Sequence, residues 1–90
     1  MVKFEWDENK RFINLRKHRI DFLDVPFIFD GNTVTVEDNR YNYGEQRFVT
    51  FGLLQGRLIA VVHTEDRDSI RIISARKATQ YEQRIYFEQI

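Results

Sequence analysis

The sequence predicts an α+β fold with the element order β-α-α-β-β-β-β-α. Helical patterns occur near both ends of the chain, whereas the middle carries runs in which apolar and polar residues alternate, as they do in strands. Turn signals separate the successive strands. We therefore expect hairpins that form an antiparallel sheet, packed by two N-terminal helices and one C-terminal helix. Ninety residues suffice for one small domain, which we place at residues 1–90.

The first predicted elements are a short strand and a helix. Residues 2–6 alternate between apolar and polar side chains and are predicted as a strand. Asp7 is suited to cap a helix over residues 8–18, which contain neither glycine nor proline. We expect this helix to bury an apolar stripe. The stripe consists of Phe12, Ile13 and Leu15.

A second short helix is predicted over residues 22–29, with Asp21 as its N-cap. Pro26 lacks a backbone N–H group and is tolerated only near the first turn of such a helix. The run Asp30-Gly31-Asn32 predicts where the helix ends.

The remaining strands are separated by turns. Residues 57–65 are the most apolar, and because both of their faces are apolar we place them at the centre of the sheet. Gln55-Gly56 predicts a two-residue hairpin before this strand. Thr79 and Glu82 form the capping box of a last helix that runs to about Gln89. The other predicted segments are strands at 33–37, 46–54 and 70–75, a loop at 38–45 and a turn at 66–69.

The composition excludes several classes of protein. Fourteen basic and fourteen acidic residues give no net charge, which argues against a general nucleic-acid binder. The charges are segregated, however: residues 10–19 hold five bases and no acid, and residues 21–45 hold six acids and one base. The absence of cysteine excludes disulfides and cysteine nucleophiles, and favours a cytoplasmic location. No apolar run approaches the ~20 residues of a membrane span.

Few residues are suited to metal or cofactor chemistry. His18 and His63 lie far apart with no metal-ligand spacing, and no glycine-rich loop is present to hold a nucleotide, so we expect neither a metal nor a cofactor. His18 falls in the last turn of the first helix, one turn after Asn14. His63 is predicted to be packed or hydrogen-bonded inside the sheet. Three tyrosines are candidates for stacking on bases: Tyr41, Tyr43 and Tyr81.

Arginines are the remaining candidates for chemistry. Arg67, Arg71 and Arg76 flank or occupy the last strand, and their planar guanidinium groups are suited to phosphate. Strict alternation places Arg71 and Ala75 on one side of this strand and Ile72 on the other.

The alternative for these arginines is purely structural. A charged group within an apolar strand needs a partner, which Glu65, Asp68 or a helix carboxylate would supply. The sequence leaves the phosphate site and the ion pair open.

Taken together, these segments resemble the BrnT family of bacterial type II toxins. The most specific segment is Arg71 to Thr79, which reads RIISARKAT. The other matching positions are Phe4 to Asp7, Lys10, Asn14, His18, Ile20, Phe22, Asp30, Tyr43 to Glu45, Arg47, Gly52 to Arg57, Thr64, Glu65, Glu82, Arg84 and Tyr86.

The resemblance implies a RelE-like fold and an RNA-cleaving toxin that halts translation. It also implies a cognate antitoxin with a ribbon-helix-helix region, so operator DNA would be contacted only through the toxin–antitoxin complex. Cleavage would require neither a metal ion nor the ribosome.

These implications lead to a hypothesis about individual residues. Arg67, Arg71 and Arg76 would stabilise the charge that develops on phosphate, with Glu65 or His18 as the general base. The residues expected to bind RNA phosphates are Lys10, Arg16, Lys17 and Lys77.

The sequence departs from the family pattern at two positions. Arg19 stands where the family usually has glycine, at a helix end that favours a left-handed residue. Asp66 stands where the family commonly has arginine, and Arg67 follows one residue later. Two alternatives therefore stay open: an interaction module that has lost its chemistry, and a nucleic-acid-binding domain that does not cleave.

Overall fold

The computed structural model describes residues 2–90, which form a five-stranded sheet, two α-helices and one 3₁₀ helix. In chain order the elements are β1 (Lys3–Glu5), α1 (Glu8–His18), the 3₁₀ helix η1 (Phe22–Asp30), β2 (Val34–Asp38), β3 (Arg47–Leu54), β4 (Arg57–Asp66), β5 (Ser69–Lys77) and α2 (Gln80–Gln89). The predicted α+β class and the order of helices and strands are confirmed.

The strands lie in the order β1-β5-β4-β3-β2, so β4 is central as predicted. Strands β2 to β5 pair antiparallel through successive turns. The prediction of an antiparallel sheet is wrong for β1, which pairs parallel to β5 with Phe4 opposite Ile70. Hairpin signals constrain only strands that a turn joins, and no turn joins β1 to β5.

Helix α1 has the predicted bounds but not the predicted buried face. Asp7 accepts hydrogen bonds from the backbone N–H groups of Asn9 and Lys10, as a cap does. Phe12 and Ile13 are 56% and 63% exposed, so the predicted apolar stripe is wrong. The buried residue is Asn14, because α1 lies along an edge of the sheet whose backbone groups need a polar partner.

The edge in question belongs to β5 beyond the end of β1. The side-chain amide of Asn14 donates to the Ala75 carbonyl over 2.9 Å and accepts from the Ala75 N–H over 3.1 Å. It also donates to the carbonyl of Ile20, which holds the chain after α1. One side chain thus replaces a neighbouring strand at this point.

The second predicted helix is a 3₁₀ helix rather than an α-helix. Phe22, Val25 and Ile28 are almost fully buried and lie three residues apart, the repeat of a 3₁₀ helix. Pro26 lies inside the helix and not near its first turn, so the restriction expected for an α-helix does not hold here. Because proline has no backbone N–H, this turn makes one helical hydrogen bond fewer. Asp21 accepts from the N–H of Leu23, which confirms it as the N-cap.

Helix η1 covers one face of the sheet, and α2 covers an end of the other. The main core joins η1 to Ile59, Val61, Ile72 and Ala75. Gly52 lets Ile28 approach this face, because a Cβ atom at residue 52 would collide with the Ile28 side chain. A second apolar cluster packs α2 against the sheet and consists of Leu58, Ala78 and Tyr86.

A bulge in β5 changes which side chains share a face. Val62 pairs with Ser74, but the next residue, His63, pairs with Ile72, so Ile73 is an extra residue in β5. Ile72 and Ala75 consequently face the same core. The prediction that Arg71 and Ala75 share a side is wrong, because strict alternation ends at the bulge.

Candidate active site

The sheet face opposite η1 carries a group of arginines, which we call the arginine face. The bulge places both Arg71 and Arg76 there, each next to a residue that points into the η1 core. Arg47 of β3 shares this face, since it lies in alternation with Val49 and Phe51. Arg40 lines a cavity of about 200 Å³ that also includes Arg76. The arginine face therefore consists of Arg40, Arg47, Arg71 and Arg76.

Arg71 and Arg47 converge on one carboxylate. Nη2 of Arg71 donates to both oxygens of Glu45, over 2.8 and 2.9 Å. Nε of Arg47 donates to Glu45 Oε2 over 3.3 Å, and its guanidinium lies 4.1 Å from the centre of the Tyr43 ring. The loop before β3 is thereby tied to β5, and two guanidinium groups share a single negative charge.

Arg76 forms a two-pronged pair with Glu82 of α2. Its Nη1 and Nη2 atoms donate to the two oxygens of Glu82 over 2.8 and 2.9 Å. Glu82 also accepts from the backbone N–H of Thr79, which confirms the predicted capping box. These hydrogen bonds, that of Arg76 above all, lower the pKa of Glu82 to about 2.

The third carboxylate on this face is Asp38, at the end of β2. It is buried and accepts from Nε and Nη2 of Arg40 over 2.9 and 3.1 Å, and from the Tyr43 hydroxyl over 3.1 Å. Hydrogen bonding by Arg40 is the main reason that the pKa of Asp38 falls to about 2. In these ion pairs four guanidinium groups contact three carboxylates. The arginine face with its partners therefore carries a net charge of one positive unit.

His18 lies beside the Arg76 end of this face. Burial lowers its pKa, and the positive charges of Lys17 and Arg76 lower it further. A lowered pKa favours the neutral imidazole, which is the form that can accept a proton. A cavity of about 250 Å³ is lined by residues of α1 and β5: Lys10, Ile13, Asn14, Lys17, His18, Ile73 and Ser74.

The other predicted base, Glu65, lies on the opposite face of β4. Thr64 pairs with Arg71 and lies on the arginine face, so the next residue, Glu65, points to the opposite face. Buried His63 lies on that same opposite face. Glu65 Oε1 is 3.8 Å from His63 Nδ1. A hydrogen bond of 2.7 Å joins Nε2 of His63 to the hydroxyl group of Thr50. The prediction of a hydrogen-bonded His63 is confirmed.

The structure separates the predicted site residues along β5. Arg71 and Arg76 are roughly 15 Å apart along the strand, too far to hold one phosphate together. Arg67 lies in the exposed β4–β5 turn, at the end of β5 that carries Arg71, and has a φ of 53°. Lys77 lines a different cavity with Gly56 of the β3–β4 hairpin.

The three α1 residues that were predicted to bind RNA lie on two different surfaces. Lys10 and Lys17 line the cavity that includes His18. Arg16 lines a separate groove with Phe12.

Sequence reasoning foresaw one partner of these arginines and missed two. A helix carboxylate was a predicted partner, and Glu82 of α2 confirms it for Arg76, whereas Asp38 and Glu45 were not predicted. The segment 38–45, which was predicted as a polar loop, contains Asp38, Arg40 and Glu45. Alternation within the predicted strand 46–54 was a usable signal for Arg47, because it places that residue on the side of Val49 and Phe51. Nothing in the spacing relates Glu45 to Arg71, which lies 26 residues away.

Comparisons with known proteins identify the family of the chain. The family model described as "Ribonuclease toxin, BrnT, of type II toxin-antitoxin system" matches residues 6–82. The chain belongs to the BrnT toxin family. The resemblance seen in the sequence is thereby confirmed, and with it membership of a ribonuclease toxin family whose type II systems pair a toxin with an antitoxin.

A solved structure of the family has the same overall architecture. The crystal structure of the Brucella abortus ribonuclease toxin BrnT aligns with a TM-score of 0.65 and 28% identity, covering 89% of this chain and 100% of that one. Comparison with curated protein sequences found no match. None of the helices formed within residues 2–90 has the length and apolar character needed to cross a bilayer.

Proposed function

We propose that the chain is the toxin of a type II toxin–antitoxin pair and cleaves RNA on the arginine face without a metal ion. The observation that carries this proposal is the bulge at Ile73, which gives Arg71 and Arg76 a common face beside His18. Positively charged donors fixed near a phosphate stabilise the charge that develops there, often the largest contribution to catalysis.

The proposed reaction is attack of a ribose 2′-hydroxyl on the adjacent phosphorus. The 2′-oxygen forms a bond to phosphorus while the bond to the 5′-oxygen breaks, leaving a 2′,3′-cyclic phosphate and a free 5′-hydroxyl. The base takes the 2′-hydroxyl proton, and the leaving oxygen takes up a proton from solvent. Of the two candidate bases, His18 is favoured because its lowered pKa favours the neutral imidazole and because it lies near Arg76, whereas Glu65 lies on the other face.

The remaining residues would hold the RNA strand. Arg76 would act on the reacting phosphate beside His18, and Arg71 would bind a phosphate further along the strand. Arg67 extends this path at the exposed turn. Lys10 and Lys17 line the cavity next to His18 and would bind phosphates on the other side of the cleaved bond.

Two of the predicted residues lie outside this path. Lys77 would act at the far end of β5, where it lines a different cavity. Arg16 lies on a separate surface and is the least favoured RNA contact.

The family resemblance also suggests the fold type, the location and the partner of this toxin. We propose a RelE-like single domain over residues 1–90 that acts in the cytoplasm and is neutralised by a ribbon-helix-helix antitoxin. Operator DNA would be contacted through that complex.

A second function is favoured by one observation. Arg71 and Arg76 already hold the carboxylates Glu45 and Glu82, and Asp66 replaces an arginine that is common in the family. A protein-interaction module of the same fold, impaired in catalysis, would retain these pairs permanently.

Cleavage of RNA in excess EDTA tests the proposal. We expect fragments that end in 2′,3′-cyclic phosphate and 5′-hydroxyl groups, and no cleavage of matched RNA in which every 2′-hydroxyl is methylated. Loss of cleavage in EDTA with recovery in Mg²⁺ would contradict the metal-free mechanism. Intact RNA from folded protein would favour the interaction module.

A further inference from the structure

The outer surface of α1 carries apolar side chains that the fold leaves exposed. Phe12 is 56% exposed although it lies in the middle of a helix, and Leu15 is only half-buried. These residues and two arginines line an open groove with a volume of about 590 Å³. We call it the α1 groove, and it is lined by Phe12, Leu15, Arg16 and Arg19.

The α1 groove is separate from the candidate active site. The side of α1 that faces β5 contributes Lys10, Lys17 and His18 to a different cavity. Phe12 and Arg16 lie one turn apart on the side of the helix away from Asn14, which is held by β5. A molecule in the α1 groove would therefore leave the arginine face uncovered.

The charge of the groove indicates what it accepts. Arg11 is paired with Glu8 and Asp21, whereas no hydrogen bond or ion pair engages the guanidinium groups of Arg16 and Arg19 within residues 2–90. Residues 10–19 contain no acid. A symmetric contact with the same groove of a second copy would place like charges against each other, so the complementary surface is acidic.

We propose that the α1 groove docks an apolar segment of the antitoxin flanked by carboxylates. The apolar side chains would bury against Phe12 and Leu15 while the carboxylates pair with Arg16 and Arg19. Aromatic and arginine side chains of this kind carry much of the binding energy in protein interfaces. The inference rests on membership of a toxin–antitoxin family and not on the cleavage chemistry, so the two fail independently.

Binding to the antitoxin obtained by co-expressing the gene pair tests this proposal. Phe12→Ser and Arg19→Glu are each expected to weaken the affinity at least about tenfold, the usual effect at an interface residue of this kind. Phe87→Ser is the matched control, because Phe87 is 54% exposed on α2, away from the groove, and should leave the affinity unchanged. All three variants should retain the RNA cleavage rate of the parent.

Two results would overturn the proposal. One is parental antitoxin affinity in the folded Phe12→Ser/Arg19→Glu double variant. The other is a loss of RNA binding in that variant with antitoxin affinity intact, which would make the groove an RNA surface. Hydrogen exchange of the unmodified complex gives an independent check that needs no variant. Amides of α1 around Phe12 should exchange more slowly when antitoxin is bound, and unchanged exchange there would also contradict docking.

Discussion

Arg71 and Arg76 project from the same face of β5 although five positions separate them, an odd spacing that would place them on opposite faces of a regular strand. The extra residue Ile73 shifts the alternation between them. Bulges frequently redirect side chains near active sites, and this one unites two candidate phosphate ligands that a regular strand would separate.

The carboxylate between Arg47 and Arg71 should compete with RNA. Glu45 occupies donor groups that a phosphate would need, and Glu45→Gln removes the negative charge that holds both guanidinium groups. We expect this variant to bind a 2′-O-methyl RNA several-fold more tightly, measured by fluorescence anisotropy. Glu37→Gln, an exposed neighbour on the other face of β2, removes the same charge as a control. Equal gains in both variants would indicate only a general charge effect.

Asn14 should be among the most costly residues to replace. Asn14→Ala removes three hydrogen bonds and leaves the Ala75 N–H and carbonyl groups without a partner. We expect the free energy of unfolding to fall by about 2–4 kcal/mol, as measured by urea denaturation. Asn9→Ala, at an exposed position of the same helix, should change it by less than ~0.5 kcal/mol. Similar losses in the two variants would contradict the edge-capping role.

Replacing Arg19 by glycine should stabilise the fold. Arg19 has φ 61° and ψ 28° at the end of α1, a left-handed conformation that a side chain disfavours. Arg19→Gly relieves this cost and should raise the free energy of unfolding by about 0.5–1 kcal/mol, less than the full relief because glycine loses more entropy on folding. Arg16→Gly, inside α1, should instead lower it by about 1 kcal/mol.

Stability should decrease in acid because of Glu82. Its pKa is about 2 in the folded protein against an ordinary value of 4.5, so the stabilisation is present above about pH 4.5 and is lost as the pH falls towards 2. Asp38 contributes in the same direction, with a pKa of about 2. Thermal unfolding between pH 6 and 2.5 should show a smaller decrease in Tm for Glu82→Gln than for the parent. An identical pH dependence would contradict the lowered pKa.

The elements that local sequence rules govern were predictable. The bounds of α1, its Asp7 cap, the Thr79 capping box and the Gln55-Gly56 hairpin all follow from interactions within a few residues. The apolar character of β4 likewise placed it at the centre of the sheet.

The contacts between distant segments could not be predicted in the same way. The parallel pairing of β1, the bulge at Ile73 and the burial of Asn14 all depend on residues far apart in sequence. The pattern identified Arg71 and Arg76 as candidates, but periodicity placed Arg71 on the wrong side because the bulge leaves no local signal. Their carboxylate partners come from a loop and a helix outside β5.

The rate at which arginine variants cleave a short RNA in EDTA tests the central claim most directly. Arg76→Ala should lower kcat/KM by about 10²–10³-fold, the usual effect of removing a fixed donor to a developing negative charge. Arg71→Ala removes a contact to a more distant phosphate and should lower kcat/KM by about tenfold, mainly through a higher KM. Arg57→Ala, at the exposed β3–β4 hairpin, should retain the parental rate. Full activity of folded Arg71→Ala and Arg76→Ala variants would show that the arginine face is not where RNA is cleaved.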